Sequence, residues 1–352
     1  MKIDVKHQPE ARPKLSVCIP TYNRSSHLEE RLTELARQVD SNIEVIISNN
    51  ASSDGTSELL RQWETKWPTG SNLRIYQGVV NEGFSLNLRR CAEIAAGEWL
   101  WITGDDDAVK SDAVSTILKC VENSQSEVLY FSNPCFQIAN RQVIDTVPAL
   151  LESISLPGLA LIGGTVYRRE VLSDNLADFG KYCPSLVPYL CITFSQLEAG
   201  KLRTELCPER LFANDTYDTS QGWSSVALVE GLGNWISALN QPANKSALAD
   251  RLWFLRKWGL QFGERELNGP SALTRWRCAF WLSGITLAAH SKNPVRTFLY
   301  KMFPDCRDIL RWLKGALLGR HLATPIIIVA CGPAKWILSR ARADGKDMVD
   351  IF

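Results

Sequence analysis

The sequence is poor in the residues and spacings that build several common kinds of site. Its four histidines stand far apart, and its ten cysteines include no pair at the Cys-x-x-Cys spacing. A zinc site built on histidine is therefore not expected, and any catalytic metal should be held by oxygen. The first residues show no basic stretch followed by an apolar segment, so we expect a reducing, cytoplasmic location.

The sequence also lacks a glycine-rich loop where many nucleotide-binding folds carry one. The first strand-like segment, Leu15–Ile19, is followed by Pro20-Thr-Tyr-Asn-Arg24. A dinucleotide-dependent oxidoreductase needs Gly-x-Gly-x-x-Gly at this place, and a sugar nucleotidyltransferase needs a glycine-rich loop with basic residues. The observed loop disfavours both classes, of which the nucleotidyltransferase is the nearer alternative.

The end of the sequence has no uncharged run long enough to cross a bilayer, because proline and glycine interrupt residues 324–338. Residues 291–346 nevertheless carry eleven Lys and Arg against three Asp and Glu, in a chain whose net charge is +1. Eight of the twelve tryptophans follow residue 220. Such a composition indicates an anionic partner and favours a membrane surface over nucleic acid. A helix packed on the rest of the protein is the alternative for this tail.

Strand-like and helix-like segments alternate through the first 125 residues. The predicted strands are Leu15–Ile19, Ile43–Ile47, Leu73–Tyr76 and Glu98–Thr103, and the predicted helices cover residues 26–38, a segment through Leu59, Leu60 and Trp63, residues 84–96 and residues 111–121. This alternation predicts an α/β fold with a mostly parallel, Rossmann-like sheet and helices on both faces.

The pattern changes after residue 125. Val128–Phe131 and Leu159–Tyr167 read as further strands, and Leu186–Glu198 reads as a helix. Gly163 and Gly164 suggest a close approach of the backbone to a ligand. Beyond residue 220 only helical spacing is left, so we predict a catalytic domain over residues 1–220 and a helical C-terminal region over residues 221–352.

Three consecutive carboxylates, Asp105 to Asp107, follow the apolar segment Trp99–Ile102. Adjacent carboxylates repel one another at neutral pH, and a divalent cation offsets that repulsion most simply. Hard oxygen ligands favour Mg²⁺ or Mn²⁺. The alternative is an acidic turn that caps the helix starting near Ser111 and Asp112.

Other polar residues also follow the predicted strands. In open parallel sheets the ligand lies beyond the carboxyl ends of the strands, so these side chains should line one crevice. A nucleotide with its diphosphate and metal fits them, with Tyr22 stacking on the base and Asn49 or Asn50 reading its edge. A turn-and-cap role for residues 49–56, a turn at residues 81–83 and a solvated charge at Arg24 are the alternatives. The residues at the strand ends are Thr21, Tyr22, Asn23, Arg24, Asn49, Asn50, Asn81, Asp105, Asp106 and Asp107.

Four segments together resemble the family 2 glycosyltransferases, which have the nucleotide-sugar-binding GT-A fold. They are Ser16–Arg24, Glu44–Thr56, Asn81-Glu-Gly83 with Asn87, and Gly97–Asp107. The resemblance extends over roughly residues 14–215. The Ser-Asn-Asn and Gly-Asp-Asp-Asp forms are similar to the abequosyltransferase-like branch of bacterial O-antigen assembly.

The resemblance implies roles for individual residues. Asn49 or Asn50 would contact the base, and Asn81 and Asn87 would belong to the nucleotide-sugar site. Asp105 would touch the ribose or the metal, and Asp106 or Asp107 would ligate Mn²⁺ or Mg²⁺. The residues that would flank the base and ribose are Pro20, Thr21, Tyr22 and Arg24.

Two departures from the family pattern leave questions open. Asn49 and Asn50 stand where two aspartates often occur, which leaves the base open among uracil, cytosine, thymine and guanine. No Glu-Asp pair late in the catalytic domain supplies a general base. The available carboxylates are Asp174, Asp178, Glu198 and Asp215.

The resemblance therefore implies an inverting, metal-dependent enzyme. It would move a sugar from a nucleoside-diphosphate sugar to a hydroxyl of a lipid-linked bacterial surface glycan, at the cytoplasmic face of the inner membrane. A membrane-associated scaffold that keeps the fold without turnover is the non-enzymatic alternative. Nucleic acid is not expected as a partner.

Overall fold

The computed structural model describes residues 12–214, 231 and 234–252 of the chain. Internal packing divides the chain into two compact units, Met1–Thr219 and Ser220–Phe352. Three sequence predictions lie outside the described residues. They are the membrane contact of the basic tail, the candidate base Asp215, and most of the helical C-terminal region. The division of function between the two predicted domains stays a prediction.

Strands and helices alternate through the first third of the chain as predicted. The elements are β1 Leu15–Thr21, α1 Ser25–Leu35, β2 Ile43–Asn49, α2 Thr56–Lys66, β3 Asn72–Gln77, α3 Phe84–Ile94, β4 Trp99–Ile102 and α4 Ala113–Glu122. Every residue of β1, β2 and β4 is buried, which is typical of central strands covered on both faces.

The later elements depart further from the sequence prediction. They are β5 Val128–Ser132, β6 Gln142–Ile144, α5 Val147–Ser153, α6 Leu156–Ala160, β7 Thr165–Arg168, α7 Arg169–Ser173, α8 Leu176–Tyr182, α9 Pro188–Glu198 and β8 Thr204–Arg210. The sequence analysis identified neither β6, α5 nor β8.

The strand predicted over Leu159–Tyr167 was wrong in its first half. That half contains the end of α6 and a 3-10 turn at Ile162–Gly164, and only β7 is extended. Ser155 caps α6 by accepting a hydrogen bond from the Gly158 amide at 3.2 Å, and Pro157 stands in the first turn. Capping and proline at a helix start favour a helix over the apolar run that follows.

The sheet has eight strands in the order β3-β2-β1-β4-β7-β5-β8-β6. Strands β1 to β4 are parallel, whereas β7 runs antiparallel to both of its neighbours, β4 and β5. β8 is parallel to β5, and β6 is antiparallel to β8. The sheet is therefore mixed but mostly parallel. Because β7 is reversed, it starts at the edge where β4 ends.

Helices cover both faces of the sheet. On one face, α1, α2 and α4 pack Leu32, Leu60 and Ile117 against the strands in a continuous apolar core. α3 packs on β1 and β2 and is in turn contacted by α7 and α8. Full burial of each such side chain contributes about 1.5–3 kcal/mol, so these faces fix where the strand ends lie.

A buried carboxylate fixes the start of β4. Glu44 is 1% exposed, and it accepts hydrogen bonds from the Ser16 hydroxyl, from the amides of Ala96 (2.6 Å) and Gly97 (3.1 Å), and from Arg74 (3.1 Å). A Cβ on Gly97 would lie 2.6 Å from the Ser16 amide nitrogen. Only glycine fits this close approach, which joins β1, β2 and the turn before β4.

The described part of the second unit is short. It contains a 3-10 turn at Ile236–Ala238 and a helical segment over residues 242–252 that buries Leu248 and Leu252. Among the described residues, no helix has the length and apolar character needed to cross a membrane.

Candidate functional site

The loops after β1, β2 and β4 meet at one edge of the sheet. Thr21 and Asn49 are register partners at the ends of β1 and β2, and the Asn50 amide donates to the Thr21 carbonyl at 2.9 Å. The Thr21 hydroxyl donates to Oδ2 of Asp105 at 2.6 Å. Loops far apart in sequence are thus joined, as the alternating pattern predicts.

The three carboxylates of the loop after β4, residues 104–107, have different surroundings; we call this segment the carboxylate loop. Asp105 is buried and lies 3.6 Å from the Arg24 guanidinium, while the exposed Asp106 pairs directly with Arg24. Asp107 turns back, and its Oδ2 accepts from the Gly104 amide at 3.0 Å. None of the three caps α4, which begins only at Ala113.

The carboxylate loop holds more negative charge than its neighbours offset. Burial raises the pKa of Asp105 to about 6, with a further contribution from the charge of Asp106, against the lowering effect of Thr21 and Arg24. Burial also raises the pKa of Asp107 to about 6, against the lowering effect of the Gly104 amide. A bound cation would relieve this penalty.

The carboxylate oxygens of this loop are suitable ligands for a hard divalent ion. Asp105 and Asp106 already share one positive group, the Arg24 guanidinium, and both offer carboxylate oxygens of the kind that Mg²⁺ and Mn²⁺ prefer. Asp107 faces the protein instead, because a Cβ on Gly163 would lie 2.8 Å from its Oδ2. Gly163 and Gly164 therefore make their close approaches to the side chains of Asp107 and Asn133.

The amide side chains of Asn49 and Asn50 are both bonded to protein groups. Asn50 donates to Oδ1 of Asn81 at 2.7 Å and accepts from the Glu82 amide at 3.0 Å. Asn49 donates to Oε1 of Gln77 at 2.7 Å and accepts from the Ser52 amide. Both side chains thus hold the surrounding loops together. Their contact with a base stays a prediction.

The remaining predicted residues sit around these amides. Asn87 is buried beneath the site, where it accepts from the Ser48 hydroxyl at 2.6 Å and donates to the Ser48 carbonyl at 3.1 Å. Pro20 is buried within β1, whereas Tyr22 is 42% exposed beside it. Tyr22 is therefore accessible for stacking on a base. Asp54 accepts from the Thr56 amide at 2.9 Å at the start of α2, within the segment for which a turn-and-cap role was the alternative.

Two of the candidate bases, Asp174 and Glu198, lie away from the carboxylate loop. Asp174 follows α7, which begins next to the first residues of β4, at the opposite edge of the sheet. Glu198 ends α9, and the chain then enters β8 at that same opposite edge. Asp178 lies on α8, and the turn after α8 contacts the start of α3. Asp215 lies outside the described residues, directly after Asn214. All four stay predictions.

Arg31 is a site residue that the sequence analysis missed. Its guanidinium is 6% exposed and donates to the Asp107 carbonyl at 2.9 Å while pairing with Glu34. The available signal was an arginine on the apolar stripe of α1, between Leu28 and Leu35. A buried arginine requires polar partners, and here one of them is the carboxylate loop.

Comparison with known proteins gives consistent relatives. The family model "Glycosyl transferase family 2" matches residues 16–171. Abequosyltransferase RfbV of Salmonella typhimurium is 38% identical over 116 residues, which cover 32% of this chain and 34% of that protein. The GalNAc(5)-diNAcBac-PP-undecaprenol beta-1,3-glucosyltransferase of Campylobacter jejuni is 28% identical over 121 residues, 33% of this chain and 37% of the relative. The match thus spans only about a third of these curated relatives.

A solved structure shares the fold over a longer stretch. Residues 1–349 of Staphylococcus aureus TarS, in a crystal structure with UDP-GlcNAc, superpose with a TM-score of 0.61 at 16% identity, covering 90% of this chain and 95% of that one. TarS is described as a poly(ribitol-phosphate) beta-N-acetylglucosaminyltransferase. The likeness establishes the GT-A architecture that the sequence predicted.

Proposed function

We propose that this chain, which belongs to glycosyl transferase family 2 through residues 16–171 and has the GT-A fold, transfers a sugar from a nucleoside-diphosphate sugar to a bacterial surface glycan. The observation that carries the proposal is the junction of Thr21, Arg24, Asp105 and Asp106 at the carboxyl ends of β1 and β4. A ligand of an open α/β sheet lies at this edge.

The names of the relatives support the class of acceptor. They describe an abequosyltransferase, a glucosyltransferase for an undecaprenol-linked glycan and a poly(ribitol-phosphate) glycosyltransferase. All three names fit the assembly of bacterial surface polymers. We propose a hydroxyl of a lipid-linked glycan as the acceptor, reached at the cytoplasmic face of the inner membrane.

Different residues of the site would bind different parts of the nucleoside-diphosphate sugar. Asp105 and Asp106 would hold Mn²⁺ or Mg²⁺, which when bound neutralises the diphosphate leaving group. Thr21 keeps Asp105 in place through its hydroxyl. Arg24, once it leaves the carboxylates, has the planar set of donors that suits phosphate oxygens. Tyr22 offers an exposed ring for the base.

The reaction also needs a group that takes the acceptor proton. A carboxylate in reach of the acceptor hydroxyl would remove it as the new bond forms, and displacement from the opposite face inverts the sugar carbon. Asp174 and Glu198 lie away from the carboxylate loop. Asp215 follows Asn214, and the neighbouring Ala213 amide donates to the Ala108 carbonyl at 2.8 Å. We therefore propose Asp215 as the first base to substitute.

Donor binding is the experiment that tests the proposal. UDP-, CDP-, GDP- and dTDP-sugars, each with and without Mn²⁺, are titrated calorimetrically and by thermal shift into the full chain. We expect one nucleotide class to bind with Mn²⁺ and to raise the melting temperature, since a ligand that binds only the folded state stabilises it. Asp106→Ala should lose this effect, while Asp145→Ala, which removes an exposed carboxylate outside the site, should keep it.

Two outcomes would contradict the proposal. A folded protein that binds none of the four donors would favour the non-catalytic scaffold. Metal-dependent binding that persists unchanged in Asp106→Ala would show that the carboxylate loop is not the metal site.

A further inference from the structure

A second group of metal-ligating side chains lies between α4 and β8. It is separate from the proposed nucleotide-sugar site at the carboxylate loop, which we call the donor site. Cys120 of α4 and Cys207 and Glu209 of β8 place one ligand atom each within 4.8 Å of the others. Both cysteines are buried. Cys207 and Glu209 are two positions apart on β8, next to the point where its register with β5 shifts. Both side chains place their ligand atoms near Cys120 of α4.

An unpartnered oxygen points to a ligand at this group. Oε2 of Glu209 is buried and has no hydrogen-bond partner among the described residues, although the other carboxylate oxygen accepts from Arg141 at 3.1 Å. A buried acceptor without a partner is unfavourable, because it has lost its hydrogen bonds to water. A cation coordinated by this oxygen would remove that cost.

Arg141 prepares the sulfur atoms for a cation. Its Nη2 donates to Sγ of Cys120 at 3.1 Å, and its Nη1 donates to Glu205 at 2.8 Å. The same Nη2 donates to Oε1 of Glu209 at 3.1 Å. Arg141 therefore places positive charge beside the ligand atoms of Cys120 and Glu209.

We propose that Cys120, Cys207 and Glu209 bind one thiophilic divalent cation, Zn²⁺, independently of the Mn²⁺ or Mg²⁺ at the donor site. Two sulfurs and one carboxylate oxygen are a zinc-type ligand set, and tetrahedral coordination requires ligand separations of about 3.5–3.8 Å. The three ligand atoms, which lie within 4.8 Å of one another, would move closer together by up to about 1 Å around the ion. The thiol protons of Cys120 and Cys207 leave to solvent as the two zinc–sulfur bonds form, and water fills the fourth position.

Arg141 stays in place when the ion binds. An N–H donor to a coordinated thiolate is a common outer contact of zinc–sulfur sites, and it offsets the negative charge of the ligand set. Glu205 keeps the guanidinium oriented through its 2.8 Å contact. The arginine is therefore a supporting group of the site and does not compete with the cation.

The cation would brace the donor site from behind. α4 follows the carboxylate loop in sequence, and residues 211–213 follow β8. These two segments pair, because Lys110 donates to the Leu211 carbonyl and Ala213 donates to the Ala108 carbonyl, each at 2.8 Å. Zinc would join α4 to β8 at a second point, beyond the pairing of residues 108–110 with residues 211–213. We expect zinc to raise the melting temperature of the protein.

The test is Co²⁺ binding to the reduced, chelator-treated full chain. Thiolate ligands give Co²⁺ a sulfur-to-metal charge-transfer band, which binding to the aspartates of the donor site does not produce. We expect a band that saturates at one equivalent and disappears when Zn²⁺ is added. Cys120→Ser and Cys207→Ser should lose it, and Glu209→Gln should weaken Co²⁺ binding at least tenfold. Cys183→Ser, at a half-buried cysteine elsewhere, should retain it.

Three results would overturn the proposal. The reduced, folded wild-type protein could show no charge-transfer band. The band could survive in both serine variants, which would assign it to other cysteines. If the serine variants fail to fold, Glu209→Gln decides, because its partly exposed side chain is tolerated in a folded protein, and unchanged binding there excludes the carboxylate.

Discussion

Arg24 places positive charge against Asp105 and Asp106 of the carboxylate loop. It pairs with Asp106 and lies 3.6 Å from Asp105. A divalent ion between the same carboxylates must displace it. On the proposed function, Arg24 would therefore oppose metal binding before the nucleotide arrives and become available to phosphate once the metal is bound.

This competition predicts opposite effects of Arg24→Ala on the two ligands. Mn²⁺ alone should bind more tightly, on the order of tenfold, which corresponds to about 1.4 kcal/mol. The nucleotide sugar in the presence of Mn²⁺ should bind more weakly. Free Mn²⁺ measured by electron paramagnetic resonance and calorimetry of the donor check these two changes. Arg61→Ala, which removes an exposed arginine paired with Glu58, is the control. Weaker Mn²⁺ binding in Arg24→Ala would refute the competition.

Asp105 should destabilise the metal-free protein at neutral pH. Its pKa in the folded state is about 6, above the ordinary value of 3.8, so the folded protein holds the proton more tightly than the unfolded chain does. Stability should then fall as pH rises from about 4 to about 6 and stay low above that range. Asp105→Asn should gain about 1–3 kcal/mol at pH 8 in the presence of a chelator and lose metal-dependent donor binding.

Urea unfolding of wild-type and Asp105→Asn proteins at pH 4 and pH 8 measures this difference. Asp145→Asn, at an exposed position, should show no such gain. An Asp105→Asn protein that is less stable than wild type at pH 8 would contradict the expected cost of the buried charge.

Among the elements, the sequence predicted the first four strands and helices but not the reversal of β7. The early segments carry apolar runs that alternate with helical spacing, whereas β6 has three residues, two of them exposed, and β8 contains Pro208. The apolar run at residues 159–167 combines a helix end, a turn and a strand, and no single period describes it. Ser155 and Pro157 were the local signals of α6.

The same limits apply to the site. Polar residues at strand ends were visible in the sequence, because a parallel sheet places all such ends at one edge. The hydrogen bonds of Asn50 to residues 81–83 were not visible in the sequence. No pattern in the spacing of residues indicates which partner an asparagine side chain will bond. Cys120 and Cys207 are far apart in sequence and meet only because α4 packs on β8. Contacts of this kind depend on the strand order and directions of the sheet. The sequence analysis did not predict the antiparallel direction of β7.

The turn before β4 should be intolerant of even one added carbon. In Gly97→Ala the new Cβ would stand 2.6 Å from the Ser16 backbone nitrogen and would disturb the bonds of Glu44. We expect a loss of at least about 3 kcal/mol in urea unfolding. Gly180→Ala is the matched control, because nothing lies within 4 Å of its Cβ position in α8 and alanine favours a helix by about 0.5–1 kcal/mol. Equal stability of the two variants would refute the proposed role of this turn.

At the scale of the whole molecule, charge and aromatic content are unevenly distributed. The acidic surplus lies in the larger part of the chain, and the basic excess lies in residues 291–346. We propose that this tail brings the enzyme to anionic lipid, so that the carboxylate loop works close to a lipid-linked acceptor.

Removing residues 291–352 should release the protein from the membrane fraction of cells without changing donor binding. Full-length Lys335→Gln/Arg340→Gln/Arg342→Gln should be released partly, because each basic residue near an anionic surface contributes about 1 kcal/mol. Sedimentation with anionic and neutral vesicles measures both. Binding of the full chain to neither kind of vesicle would contradict the proposal, whatever the solubility of the shortened protein.

The side-chain hydrogen bonds that join the loops at the proposed donor site come from one part of the chain. Thr21–Asp105, Asn50–Asn81 and Ser48–Asn87 all lie within residues 16–107, on strands that are neighbours in the sheet. Among the described residues, later segments support this edge of the sheet from its side, through the approach of Gly163 to Asp107 and the pairing of Ala213 with Ala108. On the proposed function, related chains with different later segments would keep the same hydrogen bonds at the donor site. Such chains would hold the activated sugar in one way while they act on different acceptors.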